Sequence, residues 1–213
     1  MASCLVGSEM CIRDSCNIVF LIFDNSKKDM KNKNNNPPKY SICICNYNMA
    51  DTIEIALISV LKQIDSSYEV LVVDDGSNDQ SVEKIKSLKK DYKNLRLISL
   101  QRDKNRELGE TRNISIREAK GEYVLLHIDA DDLWEPYIPS FVYLFHKLEK
   151  LIKKDVLLSG NQINIGKRSF LLKHGPYRNT HRAQDRDMWH RLAAINAYIP
   201  VSYTHLRAHE TTC

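Results

Sequence analysis

Apolar and polar residues alternate along Tyr40–Ala194 in a way that predicts strands and helices in turn. Ser41–Cys45 is a short β-prone run, broken by Asn46-Tyr47-Asn48. Asp51 followed three residues on by Glu54 has the form of an Asp-type capping box. Ile53, Ala56, Leu57, Val60 and Leu61 then recur at helical spacing. Tyr68–Val73 has the continuous Val/Leu character of a strand buried on both faces, and it stops at Asp74-Asp75-Gly76-Ser77. Val82, Ile85, Leu88 and Tyr92 predict a second helix, Leu95–Leu100 a third strand and Glu110–Ala119 a third helix. Glu122–Ile128 reads as a fourth strand that ends in Asp129-Ala130-Asp131-Asp132. Pro136 suits the first turn of a helix whose apolar face is Phe141, Leu144, Phe145, Leu148, Leu151 and Ile152. Val156–Ser159, Gln162–Ile165 and Ser169–Leu172 read as shorter strands, and Gln184–Ala194 as a last helix with Met188, Trp189 and Leu192 turned inward.

Such alternation predicts an α/β fold with a mostly parallel sheet and helices on both faces. Ligands bind such sheets in the crevice beyond the carboxyl ends of the strands, which is where the polar clusters fall. The 213 residues, 43% hydrophobic and 27% charged, leave room for one sizeable core. With 7 Gly and 6 Pro the chain is not of low complexity, and no apolar run approaches the roughly 20 residues that span a bilayer. A net charge of +4 with scattered bases gives no support to nucleic-acid binding. The six cysteines show no paired CxxC spacing.

The two ends change this picture. Read as codons, residues near the amino terminus are reverse complements of residues near the carboxyl terminus: Ser8 with Arg207, Glu9 with Leu206, Met10 with His205, Cys11 with Thr204. The pairing stops at Ser15 against Pro200. The implied DNA resembles a sequencing-library adapter, so Met1–Asp14 and Val201–Cys213 are read as translated adapter that packs on no core. Residues 15–39 read as a disordered or leader segment with a candidate start at Met30, and residues 40–200 as one domain cut short at its carboxyl end. Of the cysteines outside the adapter segments, Cys43 and Cys45 read as small buried hydrophobes, and His127 as a satisfied core histidine.

A strand stopping at Asp129-Ala130-Asp131-Asp132 gathers like charges that call for a cation, and oxygen ligands suit Mg²⁺ or Mn²⁺ completed by substrate phosphates. The plain alternative is a solvated acidic turn. The acidic cluster stands in order with Asn46-Tyr47-Asn48, Asp74-Asp75-Gly76-Ser77 and Arg112-Asn113. The runs SICICNYNMADTIEIALISVLKQ, EVLVVDDGSNDQS, GETRNISIREAKGEYVLLHIDADD and RAQDRDMWHRL together resemble the family-2 glycosyltransferases of the GT-A (Rossmann-like) fold.

That resemblance implies roles. Asp75, with Asp74 beside it, would accept from the base of a nucleotide donor, and Tyr47 would lie along that base. Arg112 would approach the donor nucleotide or its diphosphate, as its fixed guanidinium fork allows; a surface salt bridge to Glu110 or Glu118 is the alternative. Asp129 would contact the ribose side and Asp131 the metal, with Asp132 as an alternative ligand. Asp185, four residues before Trp189, would be the general base that deprotonates the acceptor, with Asp187 next in line and helix capping as the plain alternative. Gln184 stands where the family carries another acid.

The implied activity is inverting transfer of a sugar from a nucleotide-sugar donor, a UDP-sugar first, to a hydroxyl of a saccharide or lipid-linked acceptor in polysaccharide or glycolipid synthesis. The expected setting is cytoplasmic, with peripheral association at the inner face of a membrane. The rivals are a nucleotidyltransferase of related fold and a nucleotide-binding fragment without activity. The first would carry a Gly-rich phosphate loop near the first strand, which Cys45-Asn46-Tyr47-Asn48 is not.

Overall fold

The computed structural model describes residues 37–180, 183–201 and 209–210. β1 (Tyr40–Asn46), α1 (Ile53–Leu61), β2 (Tyr68–Asp74), α2 (Ser81–Asp91), β3 (Leu95–Ser99), α3 (Leu108–Glu118) and β4 (Tyr123–Leu126) alternate along the chain. β5 (Asp132–Leu133), α4 (Ile138–Leu151), β6 (Leu157–Gly160), β7 (Ile163–Lys167), α5 (Arg168–His174) and α6 (Gln184–Ala194) follow. One six-stranded sheet runs β3-β2-β1-β4-β7-β6. Its first four strands are parallel, β7 is antiparallel to β4, and β6 is antiparallel to β7. This is the mostly parallel α/β sheet that the alternation predicts.

Side chains alternate across the pleat, so each strand feeds two cores. Ile42 and Ile44 on β1 and Val70 and Val72 on β2 pack with Ile53, Leu57, Ile85, Phe141 and Phe145 of α1, α2 and α4. Cys43, Leu71, Val73, Val124 and Leu126 face the other way, onto Ile116, Phe170, Met188 and Leu192 of α3, α5 and α6. Val70–Val73 are wholly inaccessible. Burying each such side chain stabilises the fold by about 1.5–3 kcal/mol, which is why this run carries no polar residue.

Several local expectations need correction. No capping box forms at α1: Thr52 is the N-cap, no side chain caps it, and the Thr52 hydroxyl donates instead to the carbonyl of Ala130 at 3.1 Å. The helix after the acidic cluster begins at Ile138, so Pro139 and not Pro136 occupies its first turn, and Leu151 at its end is exposed. Ser169–Leu172 lies in helix α5, where the adjacent Phe170 and Leu171 are both buried on one core, as a strand's alternation would not allow. β4 ends at Leu126 because His127 turns out of the sheet with φ of 65°.

Residues 1–36, which include the first adapter segment and most of the leader, lie outside the described residues. In the second adapter segment, Val201 bridges to Ser159, and β8 (His209–Glu210) pairs antiparallel with β5. These are backbone pairings, and the Val201 side chain is exposed. No helix among the described residues is long and apolar enough to cross a membrane.

Candidate active site

The loops after β1 and β2 are tied together before either reaches the cleft. Asp74 is fully buried, and its carboxylate accepts from Asn46 Nδ2 at 2.7 Å and from the Ser77 backbone N–H at 3.1 Å. Ser77 Oγ in turn accepts from the N–H of Asn48 at 2.9 Å, and Asn48 Oδ1 accepts from the N–H of Asn78 at 2.9 Å. Asp74 is thus turned away from the cleft and spent on holding the two loops together. It is not among the residues that line the cleft.

What this knot supports is a cleft of about 420 Å³ at the carboxyl ends of the parallel strands. Tyr47, Asp75, Asp129 and Asp131 all line it, with Cys45, Thr111, Arg102 and Arg106. The sequence reading missed both arginines. Arg102 donates to Asp75 at 2.6 Å, Arg106 Nε pairs with the other oxygen of the same carboxylate at 2.5 Å, and the Arg102 guanidinium lies 4.5 Å from the centre of the Tyr47 ring. Arg102 and Arg106 sit in the charged stretch Arg102–Glu107, which has no apolar period. Only the fold brings it over Asp75.

Arg112 is buried on α3 behind this wall, 3.6 Å from Asp129 and 5.7 Å from the centre of the Tyr177 ring. The surface alternative is not what forms, because Glu110 pairs with Arg117 at 2.7 Å instead. Loss of hydration and, against the pull of Arg112, the like charge of Asp131 hold the Asp129 carboxyl above its usual range. Two carboxylates that repel across one cleft are relieved by a cation. Among the described residues no three-ligand cluster of His, Cys, Asp or Glu exists. The donor set therefore fits a hard cation held by one or two carboxylates and completed by a diphosphate, and not a cage built from protein alone. Asp132 is buried and does not line this cleft; with Asp131, Asp51, Thr52 and Leu133 it lines a separate depression of about 130 Å³.

Asp185 stands in the first turn of α6, where its carboxylate accepts from the N–H of Arg186 at 2.8 Å. It does not line the cleft, but its charge acts on His127 and Tyr177, which lie beside Arg112. Asp187 pairs with Arg178 at 3.1 Å and with Arg191 at 2.8 Å. Gln184 is buried, as a neutral residue there can be. His127 donates to or accepts from the Tyr177 hydroxyl at 2.7 Å, and loss of hydration, aided by Arg112, pulls its pKa down to about 3. The imidazole is therefore neutral throughout the ordinary pH range. Burial pushes the thiols of Cys43 and Cys45 up to about 12, so both stay protonated and unreactive.

Comparison with known proteins gives this geometry a family. The "UDP-Glc:alpha-D-GlcNAc-diphosphoundecaprenol beta-1,3-glucosyltransferase WfaP" of Escherichia coli is 30% identical over 128 residues, 56% of this chain and 49% of that protein. The chain spans less than half the length of the curated relatives it matches. Among solved structures, S. aureus TarS 1–349 in complex with UDP-GlcNAc superposes with a TM-score of 0.62 at 20% identity, over 82% of this chain and 61% of that one. The mannosyltransferase PcManGT from Pyrobaculum calidifontis, in complex with GDP-Man and Mn²⁺, gives a TM-score of 0.60 at 20% identity, over 79% and 57%. These likenesses show a GT-A fold. The model of the family described as "Glycosyl transferase family 2" matches residues 41–198, so the chain belongs to glycosyl transferase family 2.

Proposed function

We propose that residues 40–200 form the transfer domain of an inverting glycosyltransferase. It moves a sugar from a nucleotide donor, a UDP-sugar first, to a hydroxyl of a saccharide or lipid-linked acceptor in cell-wall polysaccharide or glycolipid synthesis. The observation that carries this reading is that Tyr47, Asp75, Asp129 and Asp131, from three separate loops, line one cleft. Relatives support the choice of substrates: the name of the E. coli relative gives UDP-glucose as donor and a diphosphoundecaprenol acceptor, and the TarS complex contains UDP-GlcNAc.

In this reading Tyr47 flanks the donor base and Asp75 accepts from it. A carboxylate has about four lone-pair sites, so Asp75 can keep its two arginines and still accept from a base N–H. Asp129 takes the ribose side, with Arg112 holding the carboxylate in place from behind. Asp131 holds the divalent cation, Mg²⁺ or Mn²⁺, which when bound neutralises charge on the departing nucleoside diphosphate. Asp185 takes the acceptor's proton. Its place in the first turn of α6 sets it at the end of the helix where the dipole favours negative charge.

The test is to incubate the protein with UDP-glucose, UDP-galactose and UDP-GlcNAc in turn, with Mn²⁺ and a lipid-linked or polyol-phosphate acceptor, and to follow UDP release. Release with at least one donor, abolished by a chelator, is expected. UDP that neither binds nor is released under any pairing would overturn the reading. In an active protein, Asp185→Asn should leave UDP binding unchanged while transfer falls about 10²–10⁴-fold, the usual loss on removing a general base.

A further inference from the structure

His127 leaves β4 with a φ of 65°, a conformation that an L-residue with a side chain holds only when its surroundings enforce it. In that conformation His127 Nε2 lies 2.7 Å from the hydroxyl of Tyr177, which is itself buried. Tyr177 cannot yield, because Asn113 on α3 grips its backbone from both sides. The Tyr177 N–H donates to Asn113 Oδ1 at 2.7 Å, and Asn113 Nδ2 donates to the Tyr177 carbonyl at 2.8 Å. The segment also lies directly on α3, since a Cβ at Gly109 would fall 2.6 Å from the carbonyl oxygen of Arg178.

The same segment is joined to α6. Arg191 donates to the carbonyls of His174 at 3.3 Å and Pro176 at 2.6 Å, and Asp187 accepts from Arg178 and Arg191. Residues 174–178 are therefore cross-linked to α6, and His127–Tyr177 links them to the turn that carries Asp129 and Asp131. Neither His127 nor Tyr177 lines the cleft.

We propose that the His127–Tyr177 hydrogen bond is a positioning strut, which sets the placement of the Asp185 end of α6 relative to the donor cleft at Asp129 and Asp131. This rests on the reading of Asp185 as the base. The pair touches neither donor nor acceptor, so its effect belongs to the alignment of two halves of the site. Misplacement by about 1 Å costs on the order of 10²-fold in rate.

The test uses the full chain and three variants. Tyr177→Phe deletes one hydroxyl, His127→Leu deletes the ring's partner atom, and His127→Gln keeps an amide able to meet the tyrosine. Binding of UDP with Mn²⁺ is measured by calorimetry, turnover by UDP release from UDP-glucose, and local opening by amide exchange at Ala183–Asp187. With Tyr177→Phe and His127→Leu, UDP affinity should stay within about twofold of the parent, turnover at saturating donor should fall roughly 10–10²-fold, and exchange at Ala183–Asp187 should quicken. His127→Gln should recover most of both losses. Turnover within twofold of the parent, or a loss of UDP affinity that parallels turnover, overturns the strut. Should the parent chain release no UDP at all, the reading of Asp185 fails, and unchanged exchange in Tyr177→Phe would then separately overturn the strut.

Discussion

Gly76 shows how closely the cleft depends on single residues. Its φ is 77°, and a Cβ there would fall 2.5 Å from the backbone nitrogen of Arg102 and 2.7 Å from its Cα. Only a residue without a side chain lets the loop after β3 lie against Asp75 and bring two guanidinium groups onto one carboxylate. Gly76→Ala should cost about 1–3 kcal/mol through its positive φ alone and should also push Arg102 away. Thermal melting should show a drop of several degrees with weaker UDP binding, whereas an unchanged melting temperature would contradict the close approach. A second prediction separates the two aspartates. Asp131→Asn should weaken Mn²⁺-dependent UDP binding tenfold or more, and Asp132→Asn, buried and outside the cleft lining, should change it less than twofold. Titration of both variants with UDP in the presence and absence of Mn²⁺ decides this. The carboxylates were legible in the sequence because each ends an apolar run. Arg102 and Arg106 were not, because a charged loop reads as solvent-exposed until the fold lays it over Asp75.

Elements whose residues repeat at a clear period were read from the sequence nearly to the residue, and short ones were not. β2 is expected at Tyr68–Val73 and found at Tyr68–Asp74, since the run Val70–Val73, buried on both faces, is wholly apolar, and the one charge before it, Glu69, is paired with Arg96 at 2.6 Å. α6 is found where its apolar spacing put it. Ser169–Leu172 misled because four residues with two adjacent apolar ones fit either period, and tertiary packing chose the helix. The contact between α3 and the segment before α6 carries no sequence signal at all. Asn113 reads as a helix residue, yet it is buried and meets both backbone groups of Tyr177 as well as Glu110 at 3.0 Å. Asn113→Ala would leave a backbone N–H and a carbonyl buried without partners, a loss of about 2–4 kcal/mol. Chemical denaturation should report it as a lower midpoint with an unchanged slope. A loss below about 0.5 kcal/mol would mean that water replaces the amide.

At the scale of the whole molecule, partly buried titrating groups set opposing responses to acid. Against the cost of burial, hydrogen bonds from Lys167 and His146 hold Glu149 below the usual carboxylate range, so the stability it contributes is lost only as pH falls through that range. Asp129 acts the other way. Its carboxyl is raised, so the folded chain takes up that proton more readily than the unfolded one, and the resulting stability is lost as pH rises through the raised value. His127 titrates in a different window. Its pKa is moved from 6.5 to about 3 by burial, with Arg112 adding to the shift and Asp185 opposing it. Between those two values the unfolded chain binds a proton that the folded chain refuses. The contribution is fully present above pH 6.5 and declines as pH falls, by up to about 1.4 kcal/mol per pH unit. Glu149 is held below the usual carboxylate range, so the interval from pH 6.5 to 5 lies above its titration, and Asp129 is common to the two proteins compared. Melting temperature measured across that interval should fall for the parent chain, and its slope should be shallower by up to one proton in His127→Gln, which carries no titrating group. Equal slopes in the two proteins would mean that the imidazole gains its proton inside the fold, by opening toward Asp185, and the bond to Tyr177 would then be broken in acid rather than held.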